Sequence, residues 1–132
     1  GDISPLSDRL KNLISKTEEI SQRFEGVQVN ICLNYGGRDE ILRAVRAYML
    51  SGGRAEDLTE EALSNCMYSA GVPDPELIIR PGGEYRLSNF LLWESAYSEL
   101  YFSDRFWPDF TPADIDRAIA WFQGRCRRYG GI

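Results

Sequence analysis

Histidine is absent from the sequence. That removes the side chain most often used as a general base near neutral pH, the serine and cysteine triads that depend on it, and most transition-metal sites. Three cysteines, Cys32, Cys66 and Cys126, lie far apart with no C-x-x-C spacing. Neither a disulfide framework nor a zinc site is suggested, and the thiols read as buried and reduced. No run approaches the roughly 18 apolar residues of a membrane span. The opening Gly1-Asp2-Ile3-Ser4-Pro5-Leu6-Ser7-Asp8 has neither the charge nor the apolar run of a signal peptide. The expectation is a cytoplasmic protein. Positive charge is also in deficit: 15 Lys and Arg against 20 Asp and Glu leave a formal charge of -5, which argues against a nucleic-acid partner. Any anion site must therefore be local, and any chemistry must use carboxylates, arginines or a hard metal ion.

What is present is enough for one packed unit: the 132 residues are 43% hydrophobic and 12% aromatic, too apolar for disorder. Ser4-Pro5 reads as an N-cap with proline at the first helical position. Leu6, Leu10, Leu13, Ile14, Thr17, Ile20 and Phe24 then recur at helical spacing. In 27–34, Val27, Val29, Ile31 and Leu33 alternate with polar residues as the apolar face of a strand. The spacing predicts a second helix through Ile41, Leu42, Val45, Tyr48 and Met49, ending near Ser51-Gly52-Gly53, and a short one from Thr59 to Tyr68. Glu76 to Arg80 is a strand after a rigid proline loop. Phe90 to Trp93 and Glu99 to Phe102 add extended segments, and Thr111-Pro112 opens a last helix. Strands separated by helices predict an α/β fold, a largely parallel sheet flanked by helices.

One stretch asks for a chemical explanation. Arg80-Pro81-Gly82-Gly83-Glu84-Tyr85-Arg86-Leu87-Ser88 follows a strand, at the end where open α/β sheets bind ligands. Arg80 and Arg86 can grip anionic oxygens, Ser88 adds a hydroxyl, and the glycines would let backbone N–H groups come close. Together they read as a diphosphate clamp. The plainer alternative is that the arginines pair with Glu84 or Glu94 across an ordinary glycine turn.

The run from Ile78 to Trp93, then Ala96-Tyr97-Ser98-Glu99-Leu100-Tyr101-Phe102 and Trp107-Pro108-Asp109-Phe110, resembles the C-terminal signature of the cis-prenyltransferases of the undecaprenyl diphosphate synthase type. Gly1-Asp2-Ile3-Ser4, Asn34-Tyr35-Gly36-Gly37-Arg38 and Arg128-Tyr129-Gly130-Gly131 agree in the same order. The resemblance spans the chain and implies the C-terminal half of that fold, residues 1–132 forming the C-terminal part of a single domain whose N-terminal catalytic part is absent. It implies condensation of isopentenyl diphosphate with an allylic diphosphate, with Mg2+, to a long polyprenyl diphosphate for cell-wall lipid carriers.

Carried over residue by residue, the resemblance implies that Arg80, Arg86, Leu87 and Ser88 bind isopentenyl diphosphate and that Glu99 is a magnesium ligand. Arg128 and Gly130 reach the diphosphate site of a second copy in a homodimer. No catalytic residue is expected in this part, since the catalytic aspartate belongs to the N-terminal half. Val27, Val29 and Ile31 line either a tunnel for the growing chain or plain core. Proximity to a membrane is implied through the lipid product. Pro81 and Tyr85 depart from the family pattern, which more often has threonine at the first position and histidine, lysine or glutamine at the second. A non-catalytic partner subunit or diphosphate-binding module, completing a site with another chain, is the alternative reading.

Overall fold

The pattern of apolar residues and caps resolves into four α-helices and two strands in a computed structural model that describes residues 1–126. Helix α1 spans Asp8–Ser21, α2 Gly37–Leu50, α3 Glu60–Ser64 and α4 Pro112–Gln123. The strands are β1, Leu77–Pro81, and β2, Glu99–Ser103. They pair in parallel with Leu77 opposite Glu99 and Arg80 opposite Phe102. A parallel pair cannot be joined by a tight turn, so residues 82–98 form a long crossover, and this crossover carries the arginine and glycine motif.

α1 begins three residues later than the sequence suggests. The Asp2 carboxylate accepts the Ser4 N–H at 2.8 Å and its hydroxyl at 2.9 Å, which occupies Ser4 in a local turn. Ser7 caps the helix instead, accepting from Leu10 N–H at 3.4 Å. The helix ends at Ser21, short of Phe24. α2 matches its expected span, with Asp39 and Glu40 in its first turn, where negative charge suits the helix dipole. Ala44, Leu63 and Met67 form the buried core under α2 and α3, with Ile41, Val45, Cys66 and Trp93 packed around them. The Trp93 indole N–H finds Ser64 Oγ at 2.9 Å, meeting the polar demand of a large aromatic at the core edge. α3 is shorter than expected, with Thr59 as its cap. At α4 the Thr111 backbone N–H and hydroxyl both donate to Asp114, at 2.8 and 2.5 Å. These bonds hold the Asp114 carboxyl below its usual range, and Arg105 and Arg117 pair with it.

Three expectations are corrected. Residues 27–34 form no strand: among the described residues the sheet has two strands only, and Val27 is 93% and Ile31 75% exposed. Alternation marks a face, but a strand exists only when a neighbour takes its backbone hydrogen bonds. An open apolar groove of about 810 Å³ runs between α1 and this segment, bordered by Leu13, Ile14, Val27, Val29 and Ile31. Residues 90–93 are turns rather than extended chain, because Leu91 takes a left-handed φ of 44° and its carbonyl accepts Ser95 N–H at 2.9 Å. Cys32 and Cys126 are exposed and Cys66 half-buried, since the segments carrying the first two lie outside the core.

Candidate functional site: the crossover after β1

Arg80 sits half-buried one residue before the end of β1. Among the described residues its guanidinium has no ion pair or hydrogen bond. A charge in that state is available to an incoming anion. Arg86, more exposed, pairs with Glu84 and donates from Nε to Ser88 Oγ at 3.2 Å. The ion-pair alternative therefore holds for Arg86, and among the described residues it fails for Arg80. Glu94 is not involved: it is buried and accepts from the Ser69 hydroxyl at 2.6 Å.

The glycines serve differently from the expectation. Gly82 N–H donates to Arg105 C=O at 2.8 Å and Gly83 N–H to Ser103 C=O at 2.9 Å. Both N–H groups are thus occupied in tying the turn to the end of β2, and neither faces an anion. Glycine is required here for conformation, with φ of 100° and 70°, which a Cβ would strain. Tyr85 completes the tie: its hydroxyl donates to Asp104 Oδ1 at 3.0 Å and its ring lies 5.3 Å from that of Phe102. The bond to Asp104 pushes the Tyr85 phenol up.

The far end of the motif is fixed largely through Asn89, to which the sequence assigned no role. Leu87 is half-buried and its carbonyl accepts Phe90 N–H at 3.1 Å. Asn89 accepts Gly37 N–H through its backbone carbonyl at 2.8 Å and Arg38 N–H through Oδ1 at 2.9 Å. The Phe90 ring meets Tyr35 edge-on at 5.9 Å. Two motifs more than fifty residues apart are therefore brought together. The only signal in the sequence was an asparagine, the residue other than glycine that best tolerates positive φ, directly after Arg86-Leu87-Ser88.

Behind them lies a buried carboxylate, Glu40, 1% exposed. It accepts from the Tyr35 hydroxyl and, at 2.8 Å, from Tyr68 N–H. Burial, then the bond to Glu40, then nearby carboxylates push the Tyr35 phenol far above its ordinary value. The folded state thus holds this proton more tightly than the unfolded chain does. The associated stability is complete below about pH 10 and is lost as the pH rises through the folded value. Urea midpoints should fall above pH 10, and less steeply for Tyr35→Phe. Equal slopes for the two proteins would assign the alkaline loss elsewhere.

Glu99 opens β2, mostly buried, and accepts from Arg125 Nε at 3.1 Å. In register it faces Leu77, three residue pairs from Arg80, about 10 Å along the strand at 3.3 Å per residue. That spacing separates the backbones of Glu99 and Arg80 along the strand pair. As a hard oxygen donor it suits magnesium, but no group of three or more His, Cys, Asp or Glu side chains gathers among the described residues. It fits as one ligand of such an ion and not as a whole site. Arg128 and Gly130 lie outside the described residues.

The arrangement defines an α/β protein whose parallel strand pair is joined by a crossover carrying two arginines, a serine and a glycine turn. Comparison with known proteins gives the same class more narrowly. A prenyltransferase family model described as "Putative undecaprenyl diphosphate synthase" matches residues 1–130. An isoprenyl transferase of Ralstonia nicotianae is 48% identical over 98% of this chain and 51% of its own length. A tritrans,polycis-undecaprenyl-diphosphate synthase (geranylgeranyl-diphosphate specific) of Thermoplasma volcanium is 45% identical over 98% of this chain and 52% of its own. Among solved structures, lavandulyl diphosphate synthase from Lavandula x intermedia, in complex with dimethylallyl diphosphate, superposes with a TM-score of 0.92 at 37% identity. It covers 98% of this chain and 58% of that one. A probable undecaprenyl diphosphate synthase from Campylobacter jejuni gives 0.86 at 36% identity, covering 98% and 60%. The chain belongs to the undecaprenyl diphosphate synthase family of prenyltransferases. It spans about half the length of the curated relatives it matches.

Proposed function

We propose that residues 1–132 are the C-terminal part of a single cis-prenyltransferase domain. The whole protein condenses isopentenyl diphosphate with an allylic diphosphate to a long, undecaprenyl-type polyprenyl diphosphate that serves cell-wall lipid carriers. This part binds isopentenyl diphosphate. The observation that carries the reading is the half-buried Arg80 guanidinium, without a partner among the described residues, at the carboxyl end of β1. Arg86 and Ser88 stand on the same turn, already hydrogen-bonded to each other. An arriving phosphate competes with Glu84 for Arg86, accepts from both guanidinium groups and takes the Ser88 hydroxyl. Leu87 supplies backbone and an apolar flank.

Glu99 contributes one carboxylate ligand to Mg2+, which neutralises diphosphate charge when bound. The largely apolar groove beside Val27, Val29 and Ile31 suits an isoprenoid body. The protein works as a homodimer in the cytoplasm, near the membrane that takes its lipid product, and Arg128 and Gly130 cross to the partner's diphosphate site. Phe106 and Trp107, 66% and 73% exposed, offer aromatic surface of the kind found at subunit contacts.

Calorimetric titration with isopentenyl diphosphate tests the clamp. Arg80→Ala and Arg86→Ala should each weaken binding tenfold or more, since a lost charge-assisted contact is worth about 1.5–3 kcal/mol. Unchanged affinity in both variants would leave the arginines as ordinary surface charges. Sedimentation at micromolar concentration should report a dimer, and a monodisperse monomer would remove the inherited interface.

A further inference from the structure

We propose that Asn89 is a positioning residue: by capping α2 it fixes the turn that holds Arg86 and Ser88, and so sets anion affinity without touching the anion. The inference rests on the clamp reading above.

A helix leaves its first N–H groups without partners. α2 has Gly36 at its N-cap, with no side chain to supply an acceptor. Asn89 fills both needs, its backbone carbonyl taking Gly37 N–H and its Oδ1 taking Arg38 N–H from 51 residues away. The fit leaves no slack. A Cβ at Gly36 would lie 2.7 Å from Asn89 Nδ2, and one at Gly37 2.9 Å from Leu92 Cγ. The two glycines are the socket into which the crossover turn plugs.

The turn itself is strained. Ser88, Asn89 and Leu91 have φ of 50°, 66° and 44°. Asparagine adopts this region readily, whereas serine and leucine do so at a cost. Such a run persists only where surrounding contacts over-determine it. Here those contacts are the Asn89 cap and the Phe90 ring against Tyr35. Ser88 is inside the run, and its Oγ accepts from Arg86 Nε, fixing one side of a guanidinium whose Nη1 pairs with Glu84. Without the cap, Ser88 relaxes toward ordinary backbone angles and the Arg86 guanidinium loses its bearing.

The test uses the 132-residue chain, inorganic diphosphate as the probe, and two variants. Asn89→Gly keeps the backbone bond and the positive φ but removes Oδ1. Asn89→Asp keeps an acceptor at Oδ1. In Asn89→Gly the Arg38 amide should lose exchange protection and the Arg86 Nε–H signal should move. Diphosphate affinity should fall by about twofold to tenfold, the scale of one lost hydrogen bond. Asn89→Asp should restore the Arg38 and Arg86 signals, which a general loosening of the fold would not explain. Unchanged Arg86 signal and unchanged affinity in Asn89→Gly would overturn the proposal. Should that variant not fold, a folded Asn89→Asp with a displaced Arg86 signal would overturn it equally, and a retained signal supports it. If the wild-type chain binds no diphosphate while Arg86 still follows the state of Asn89, the positioning stands and the clamp reading falls.

Discussion

No isopentenyl unit should be transferred by the purified 132-residue chain at any magnesium concentration, even where isopentenyl diphosphate binds. Ionising an allylic diphosphate requires a divalent ion held against the leaving group by several oxygen ligands. Glu99 supplies one carboxylate, and in this structure it is engaged by Arg125. It also stands about 10 Å along the sheet from the Arg80 level, three residue pairs at 3.3 Å each. Among the described residues no group of three or more His, Cys, Asp or Glu side chains gathers around it. The chain spans only about half of the curated relatives it matches, and the resemblance assigns the catalytic aspartate to the other half. Incorporation of labelled isopentenyl diphosphate, measured with and without an allylic primer, decides the matter. Turnover by this chain alone would mean that it contains a complete site, and the reading of residues 1–132 as one part of a domain would fail.

Glu40→Ala should cost about 3 kcal/mol of folding stability, because two hydrogen bonds to a buried carboxylate are lost and two donors are left unmet. The donors are the Tyr35 hydroxyl and Tyr68 N–H. Ala44, on the same helix, Leu63 and Met67 are the buried core cluster. A core of that size has little reserve, so the loss is a large fraction of the total. Glu40→Gln keeps an acceptor for Tyr68 N–H and should lose about half as much. Urea denaturation at neutral pH measures both. A Glu40→Ala variant within about 0.5 kcal/mol of the wild type, the range of an ordinary surface change, would show that the carboxylate is replaced by water.

The sequence by itself determined the elements whose signals are local. α2 and α4 follow from apolar residues at helical spacing and from the Gly52 and Thr111-Pro112 boundaries. β1 and β2 follow from short apolar runs between turn residues. The motif from Arg80 to Ser88 also pointed to an anion, because the residue types and the place after a strand are readable without coordinates. Tertiary structure alone decided which groups remain for a ligand. Gly82 and Gly83 look like anion-binding amides until the carbonyls of Arg105 and Ser103, some twenty residues onward, accept from them. Arg80 and Arg86 look equivalent until Glu84 is found on the second and no described residue on the first. The same limit governs residues 27–34. Their alternation fixes a face, but whether that face becomes a strand depends on a neighbour's backbone, and no pattern within eight residues encodes what lies beside them. Asn89 lies beyond such patterns for the same reason. A hydrogen bond between residues 38 and 89 is a property of the folded path, and it forms only once the packing around Tyr35 and Phe90 has brought the α2 N-terminus to the crossover.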